Sequence, residues 1–247
     1  MQMNNVFEEV SLHEGKQLRF FKKEYISEFV YGGIDGAVTT FAVVAGAAGA
    51  NADIKWVLIF GFANLFADGF SMSVGNFFAT KTDLDNFEKH KAIEYWEIDN
   101  LREIEVQEIR DIYAAKGFKG DLLEKVVDVI TSDNDVWVDT MMKEELEMTK
   151  DVRPPVNTAL ATFLSFNCIG IIPLLAYIAA MLFDLSTDNL FVISCVATGL
   201  ALVIVGYMKS FVTEKGHFRE IAETLLLGGL AAFLAYFVGD ILARWLL

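Results

Sequence analysis

The chain is poor in the residues from which most catalytic sites and stapled loops are built. It has 2 cysteines, 3 prolines and 3 histidines in 247 residues. Cys168 and Cys195 fall in different apolar runs with neither CxxC nor histidine-paired spacing, so a disulfide framework or a zinc site is excluded and both are expected to be buried packing residues. His13, His90 and His217 lie outside every apolar run and in no Ser-His-Asp or zinc-protease arrangement. No G-x-x-x-x-G-K-[ST] segment cradles a nucleotide phosphate, and no DKTGT-like segment offers an aspartate for phosphorylation. These absences argue against an enzyme and against ATP as an energy source, which leaves an ion gradient. Basic charge is scarce too. The 20 Lys and Arg stand against 34 Asp and Glu, a net charge of -14, so nucleic acid is excluded as a partner and cations are favoured. Residues 1–28 contain no apolar core of a cleavable signal, so insertion into a membrane is expected to be directed by the first span.

What the chain does have is long apolar runs. Hydrophobic residues make up 54% and the mean hydropathy is +0.39, high for a soluble domain. Charge is segregated into about the first 30 residues and the stretch from Lys81 to Arg153. The pattern predicts an all-α polytopic membrane protein with five transmembrane helices and a helical, cytoplasmic, metal-binding insertion between spans two and three. Residues 1–80 would hold a helix lying at the membrane surface and spans one and two, residues 81–153 the insertion, and residues 154–247 spans three to five. The spans are expected near residues 26–50, 56–80, 157–183 with a kink at Pro173, 190–208 and 221–246. Lys209, Lys215 and Arg219 crowd one loop, whereas Leu185 to Asn189 has no basic residue. By the positive-inside rule the N-terminus, the insertion and the Lys209 loop face the cytoplasm.

Polar groups inside the spans are where chemistry is expected. In span two, WVLIFGFANLFADGFSMSVGNFFAT, the residues Asn64, Asp68, Met72 and Asn76 follow at i+4 spacing and form a slowly drifting stripe of metal-capable side chains. In span one, Asp35 sits among small residues, with Thr39 one turn on and Glu28 two turns back on the same face. An aspartate at a helix centre costs at least about 2.5 kcal/mol on insertion, so a carboxylate there implies water, a partner or a cargo. Gly32 and Gly36 form a GxxxG and Gly46 and Ala50 a small-xxx-small pair, surfaces that invite close helix contact.

In the insertion, helices are expected near residues 83–100, 104–115, 121–131 and 135–150. Glu94 and Glu97 share a face of the first, Glu105 and Glu108 a face of the second, and Met141, Met142 and Glu145 a face of the last. Packed as a bundle these faces can converge. Mixed carboxylate and thioether donors would suit Fe²⁺ or a neighbouring transition metal rather than Mg²⁺ or Ca²⁺, while each ExxE taken alone fits a solvated acidic face and the two methionines fit a core. An EF-hand is excluded because Trp137 and Val138 stand where a ligand and a glycine are needed.

IDGAVTTFAVVAGAAGA, ADGFSMSVGNFFATKTDLD, the acidic helical insertion and the terminal LLLGGLAAFLAYFVGDIL together resemble the vacuolar iron transporter family over nearly the whole chain. The resemblance implies a five-span homodimer in a lipid bilayer that exports Fe²⁺, or Mn²⁺, from the cytoplasm in exchange for protons along a path at the dimer interface. It implies no resident cofactor; the metal is the substrate. By position, Asp35 and Met72 resemble the family's intramembrane ligands, and Glu94, Glu97, Glu105, Glu108, Met141, Met142 and Glu145 its insertion ligands. Asp35 is then expected where small residues bring two copies of span one together. Gly75-Asn76-Phe77 departs from the family's Gly-Glu-Tyr, and Asn64 stands where a glutamate is expected, so Asp68 is a candidate replacement carboxylate. A prokaryotic cell membrane is expected ahead of a vacuolar one. The alternatives are a membrane-anchored metal buffer or sensor and a ferroxidase-like iron-storage protein, the latter disfavoured by the lack of E-x-x-H pairs.

Overall fold

A computed structural model describes residues 25–184, 186, 189–213 and 215–246. The surface helix expected before residue 25 lies outside the described residues. Those residues form helices and no strand: α1 (Ile26–Gly49), α2 (Ile54–Asn100), α3 (Arg102–Ala115), α4 (Asp121–Thr131), α5 (Asn134–Glu144), α6 (Pro155–Gly170), a 3₁₀ turn (Ile172–Leu174), α7 (Leu175–Phe183), α8 (Leu190–Thr213) and α9 (His217–Leu246). Five stretches are long and apolar enough to cross a membrane: α1, α2, α6 with α7, α8 and α9. The chain divides into two compact units, residues 1–77 with 155–247, and residues 78–154.

In the first unit α1 is central, packed against α6, α8 and α9. Its small residues make this possible. A Cβ at Gly36 would run into the carbonyl of Phe166, and one at Gly32 into Ser165 Oγ and the Thr162 carbonyl, so α1 and α6 touch backbone to backbone. Farther along, Gly49 meets Tyr236 of α9, and Gly239 of α9 meets the Gly46 carbonyl. This corrects the expectation that the glycine surface of span one faces a second copy: it is consumed by α6 and α9 of the same chain. Close approach is what a GxxxG encodes; which helix approaches is not. Pro173 breaks span three as expected, and its own carbonyl accepts the Ser194 hydroxyl at 2.7 Å. The cysteine expectation fails, since Cys168 is exposed on α6 and Cys195 is only half-buried. A spanning helix is apolar on its lipid side as well as its core side, so hydropathy alone does not assign burial.

In the second unit the expected helix at residues 83–100 is no separate element. It continues span two as one 47-residue helix. Between Lys81 and Asn100 there is no Gly or Pro to stop it, and the Lys81–Asp85 pair at 2.6 Å supports the next turn. The last expected helix is shorter than its pattern, ending at Glu144, because Leu146 and Met148 fold their N–H groups back onto the Met141 and Met142 carbonyls and Glu147 takes φ 51°. Asp133 caps α5 by accepting from the N–H groups of Asp135 and Val136. Gly117 and Gly120 make the α3–α4 turn at φ 101° and 57°, where a side chain would be strained. Phe87, Ile98, Ile109, Val127, Ile130, Trp137, Val138, Met141 and Met142 form the core of this unit. Each large side chain so buried contributes roughly 1.5–3 kcal/mol.

Gly36→Val should lower the melting temperature of the detergent-solubilised protein by several degrees, since overpacking costs about 1–3 kcal/mol or more where backbone must move. Gly75→Ala, with nothing within 4 Å of the new carbon, should leave it unchanged or slightly higher. Differential scanning fluorimetry of the two variants checks the pair.

Candidate metal centre

The sequence places Glu94 and Glu97 on successive turns near the end of α2, and Glu105 on the first turn of α3. The break between them is Leu101, at φ −126° and ψ 29°, which ends one helix and lets the next start in a new direction. One carboxylate oxygen from each of Glu94, Glu97 and Glu105 thereby lies within 4.8 Å of the others. Glu94 and Glu105 are each only 3% exposed, and Glu94 Oε2 and Glu105 Oε2 have no hydrogen-bond partner. Burial and then the charges of Glu145, Glu97 and Glu108 push the Glu94 carboxyl up to about 7. Burial and then Glu108, Glu97, Glu94 and Glu145 push Glu105 up to about 7. Glu108 and Glu145 are raised as well, burial being the larger cause and neighbouring carboxylates the next; a hydrogen bond with Glu105 opposes the rise at Glu108.

Five glutamates from three segments therefore act on one locality. Carboxyls this close cannot all be ionised at once, so the cluster holds protons or a cation. Met141 and Met142 are buried in the adjoining core with Ile98 and Ile109, one turn before Glu145, whose N–H bonds the Met141 carbonyl at 3.0 Å. Buried thioethers beside oxygen donors suit a borderline transition metal better than Mg²⁺.

The first unit carries two further carboxylates: Asp35, half-buried on α1, and Asp68, exposed on α2. Thr39 turns its hydroxyl to the Asp35 backbone carbonyl at 2.8 Å rather than to the carboxylate. Along the α2 stripe the i+4 spacing drifts by about 40° per step, so its members do not all face one way. Asn64 and Met72 are half-buried, the Asn64 Nδ2 without an acceptor, and the Asn76 amide has rotated into α6, donating to Thr162 Oγ1 at 2.7 Å. Glu28, 9% exposed, accepts from the Ser27 hydroxyl at 3.0 Å. The α6 face that receives the Asn76 amide is itself polar and carries no motif. Thr158, Thr162 and Ser165 are fully buried, and Ser165 donates to the Glu28 carbonyl at 3.3 Å. Their three- and four-residue spacing in an apolar run was the available signal.

These observations define a class: a polytopic helical membrane protein that gathers acidic side chains both within its spans and in a helical insertion. Residues 26–240 match the model of the VIT family, and the chain belongs to that family. It is 33% identical over 225 residues to a protein named vacuolar iron transporter from Toxoplasma gondii, covering 89% of this chain and 74% of the relative. It is 30% identical over 226 residues to vacuolar iron transporter 1 of Eucalyptus grandis, covering 91% and 89%. Vacuolar iron transporter 2 of Oryza sativa subsp. japonica is 32% identical over 226 residues, covering 91% and 90%.

Because Glu94 and Glu105 titrate above the ordinary 4.5 in the folded state, the metal-free insertion should be most stable below that pH and lose stability as the pH rises through about 7. Added Co²⁺ should offset the loss, and its affinity should fall as protons return to the cluster. Thermal unfolding of residues 78–154 across this range, with and without Co²⁺, checks both signs. In calorimetry, Glu105→Ala with Glu108→Ala should weaken Co²⁺ binding by at least about tenfold.

Proposed function

We propose that the protein transports divalent iron, or Mn²⁺ in its place, from the cytoplasm across the membrane in exchange for protons, working as a homodimer. The observation that carries this reading is that two carboxylates, half-buried Asp35 and exposed Asp68, stand in helices long and apolar enough to cross a membrane. A carboxylate in a spanning segment is costly unless it meets water, a partner or a cargo, and competition between a proton and a cation for such a group is a physical basis for exchange. The iron reading is supported by the relatives named as vacuolar iron transporters.

The homodimer is supported by Asp68. It is exposed on α2 between the exposed rings of Phe66 and Phe70, and a carboxylate facing lipid there costs several kcal/mol. A second copy covering this face of α2 would remove that cost and put two Asp68 side chains beside one route. The insertion then serves as the collecting site: Glu94, Glu97, Glu105, Glu108 and Glu145, with Met141 and Met142, take the ion from the cytoplasm and deliver it to the spans. The scarcity of basic residues in the loop before α8, against three around Lys209, supports the cytoplasmic side for the insertion.

Proteoliposomes containing the protein should accumulate Fe²⁺ under anaerobic conditions, faster with an opposing pH gradient. A buffer or sensor would bind the metal and accumulate none. Asp35→Asn should keep the fold and bring uptake to near background. Asp35→Glu should retain part of it, its longer arm displacing the ligand. Fe²⁺ uptake at the unmutated rate in Asp35→Asn vesicles would overturn the intramembrane route.

A further inference from the structure

The turn from α8 into α9 carries Lys209, Lys215 and Arg219, and the three are not equivalent. Lys209 Nζ is held by Glu220 Oε2 at 2.9 Å and by Glu223 Oε2 at 3.5 Å. Lys209 thus takes up both carboxylates in the opening turns of α9. Lys215 and Arg219 are exposed, and among the described residues neither enters an ion pair. Beside Arg219 the Phe218 ring is 86% exposed, a large apolar surface with no cover from the chain itself.

Below these residues α9 has an open groove of about 480 Å³, lined by Ala222, Leu225, Leu226, Gly229 and Leu230. It lies on the side of α9 turned away from the other helices. Gly206 of α8 closes on the backbone of Glu220 and Ile221, and Gly228 closes on Leu202, whereas a Cβ at Gly229 would meet nothing within 4 Å. By helical position Phe218 heads the row that continues through Ala222, Leu225 and Gly229, and Arg219 heads the row of Leu226 and Leu230. From Ala222 to Leu230 the groove runs about 12 Å down a helix long and apolar enough to span. Its head is a guanidinium and an aromatic ring, and its length is hydrocarbon.

An occupant of this face must carry negative charge at one end and a slender apolar chain at the other. A phospholipid with an anionic headgroup has that form. A second copy of the chain does not fit as well: two copies inserted in one membrane share its orientation, so a symmetric contact through this face would set the two Arg219 side chains side by side.

We infer that this face of α9 binds an anionic phospholipid, its phosphate on Arg219 and Lys215 and one acyl chain in the groove over Gly229. Lys209 has a supporting part, because by holding Glu220 and Glu223 it keeps their charge from the headgroup. The site is separate from the carboxylates of the transport reading and is tested without transport.

The experiment titrates phosphatidylglycerol into the detergent-solubilised full chain, with phosphatidylcholine as the neutral lipid and glycerol 3-phosphate as the headgroup without chains. Binding is read by native mass spectrometry, and the oligomeric mass by light scattering. Phosphatidylglycerol should bind at least about tenfold more tightly than phosphatidylcholine, and the preference should shrink as salt rises from about 0.1 to about 0.5 M. Lys215→Gln with Arg219→Gln should bring the two lipids level. Gly229→Leu, which fills the groove without displacing a neighbour, should weaken phosphatidylglycerol about tenfold, the effect of losing cover for about two methylenes, and leave the preference in place. Equal binding of the two lipids by the unmutated protein, a preference that survives the double glutamine variant, or unchanged phosphatidylglycerol binding in Gly229→Leu overturns the assignment. Glycerol 3-phosphate binding as tightly as the lipid would mark a phosphate site without a chain and overturns it as well. Dissociation of an oligomer by Gly229→Leu would give the groove to a second copy and overturns the lipid.

Discussion

Like charges held together with no countercharge among them set the terms for this protein. In the insertion, Glu94 and Glu105 are withdrawn from water while Glu97, Glu108 and Glu145 add their fields, and both carboxyls titrate near 7. Burial and mutual repulsion both oppose ionisation of these carboxyls, so the folded insertion holds them together at a cost in stability when they are charged. The Trp137, Met141 and Met142 core keeps the helices in place against this repulsion. Surface ion pairs such as Lys150–Glu88 contribute little to that balance, each about 0–1 kcal/mol. A divalent cation would turn the same repulsion into binding energy, which is why the arrangement reads as a metal site rather than as an acidic surface.

The membrane unit has fewer acidic groups. Its geometry depends on glycine: Gly32 and Gly36 let α1 meet α6, and Gly46 and Gly49 let it meet α9. With that surface occupied inside the chain, α2 still presents an exposed carboxylate, Asp68, outward. Gly36 and Gly69, the residues after Asp35 and Asp68, are small enough to let α1 and α2 reach Phe166 of α6.

Five apolar stretches were legible in the sequence because hydropathy over 20 residues is a strong signal. The glutamate faces were legible as i,i+3 pairs, and Leu101, where one helix ends, is what brings Glu105 back to Glu94 and Glu97. Other features were not legible. The change from an apolar to an amphipathic pattern after Thr80 looked like an end, yet the backbone had no reason to stop. The glycine motif of α1 announced a close contact without naming the helix that makes it. Cys168, in an apolar run, faces outward because a spanning helix is apolar on both sides.

The account rests on carboxyls that exchange protons for a metal ion, and the number of protons displaced reads that exchange directly. Calorimetry of Co²⁺ binding to the full chain, in buffers of differing ionisation enthalpy, counts them. Near pH 6, below the value of about 7 at which Glu94 and Glu105 titrate, each ion bound should release at least about one proton, and near pH 8 distinctly fewer. Co²⁺ binding that releases no protons at either pH would contradict the account.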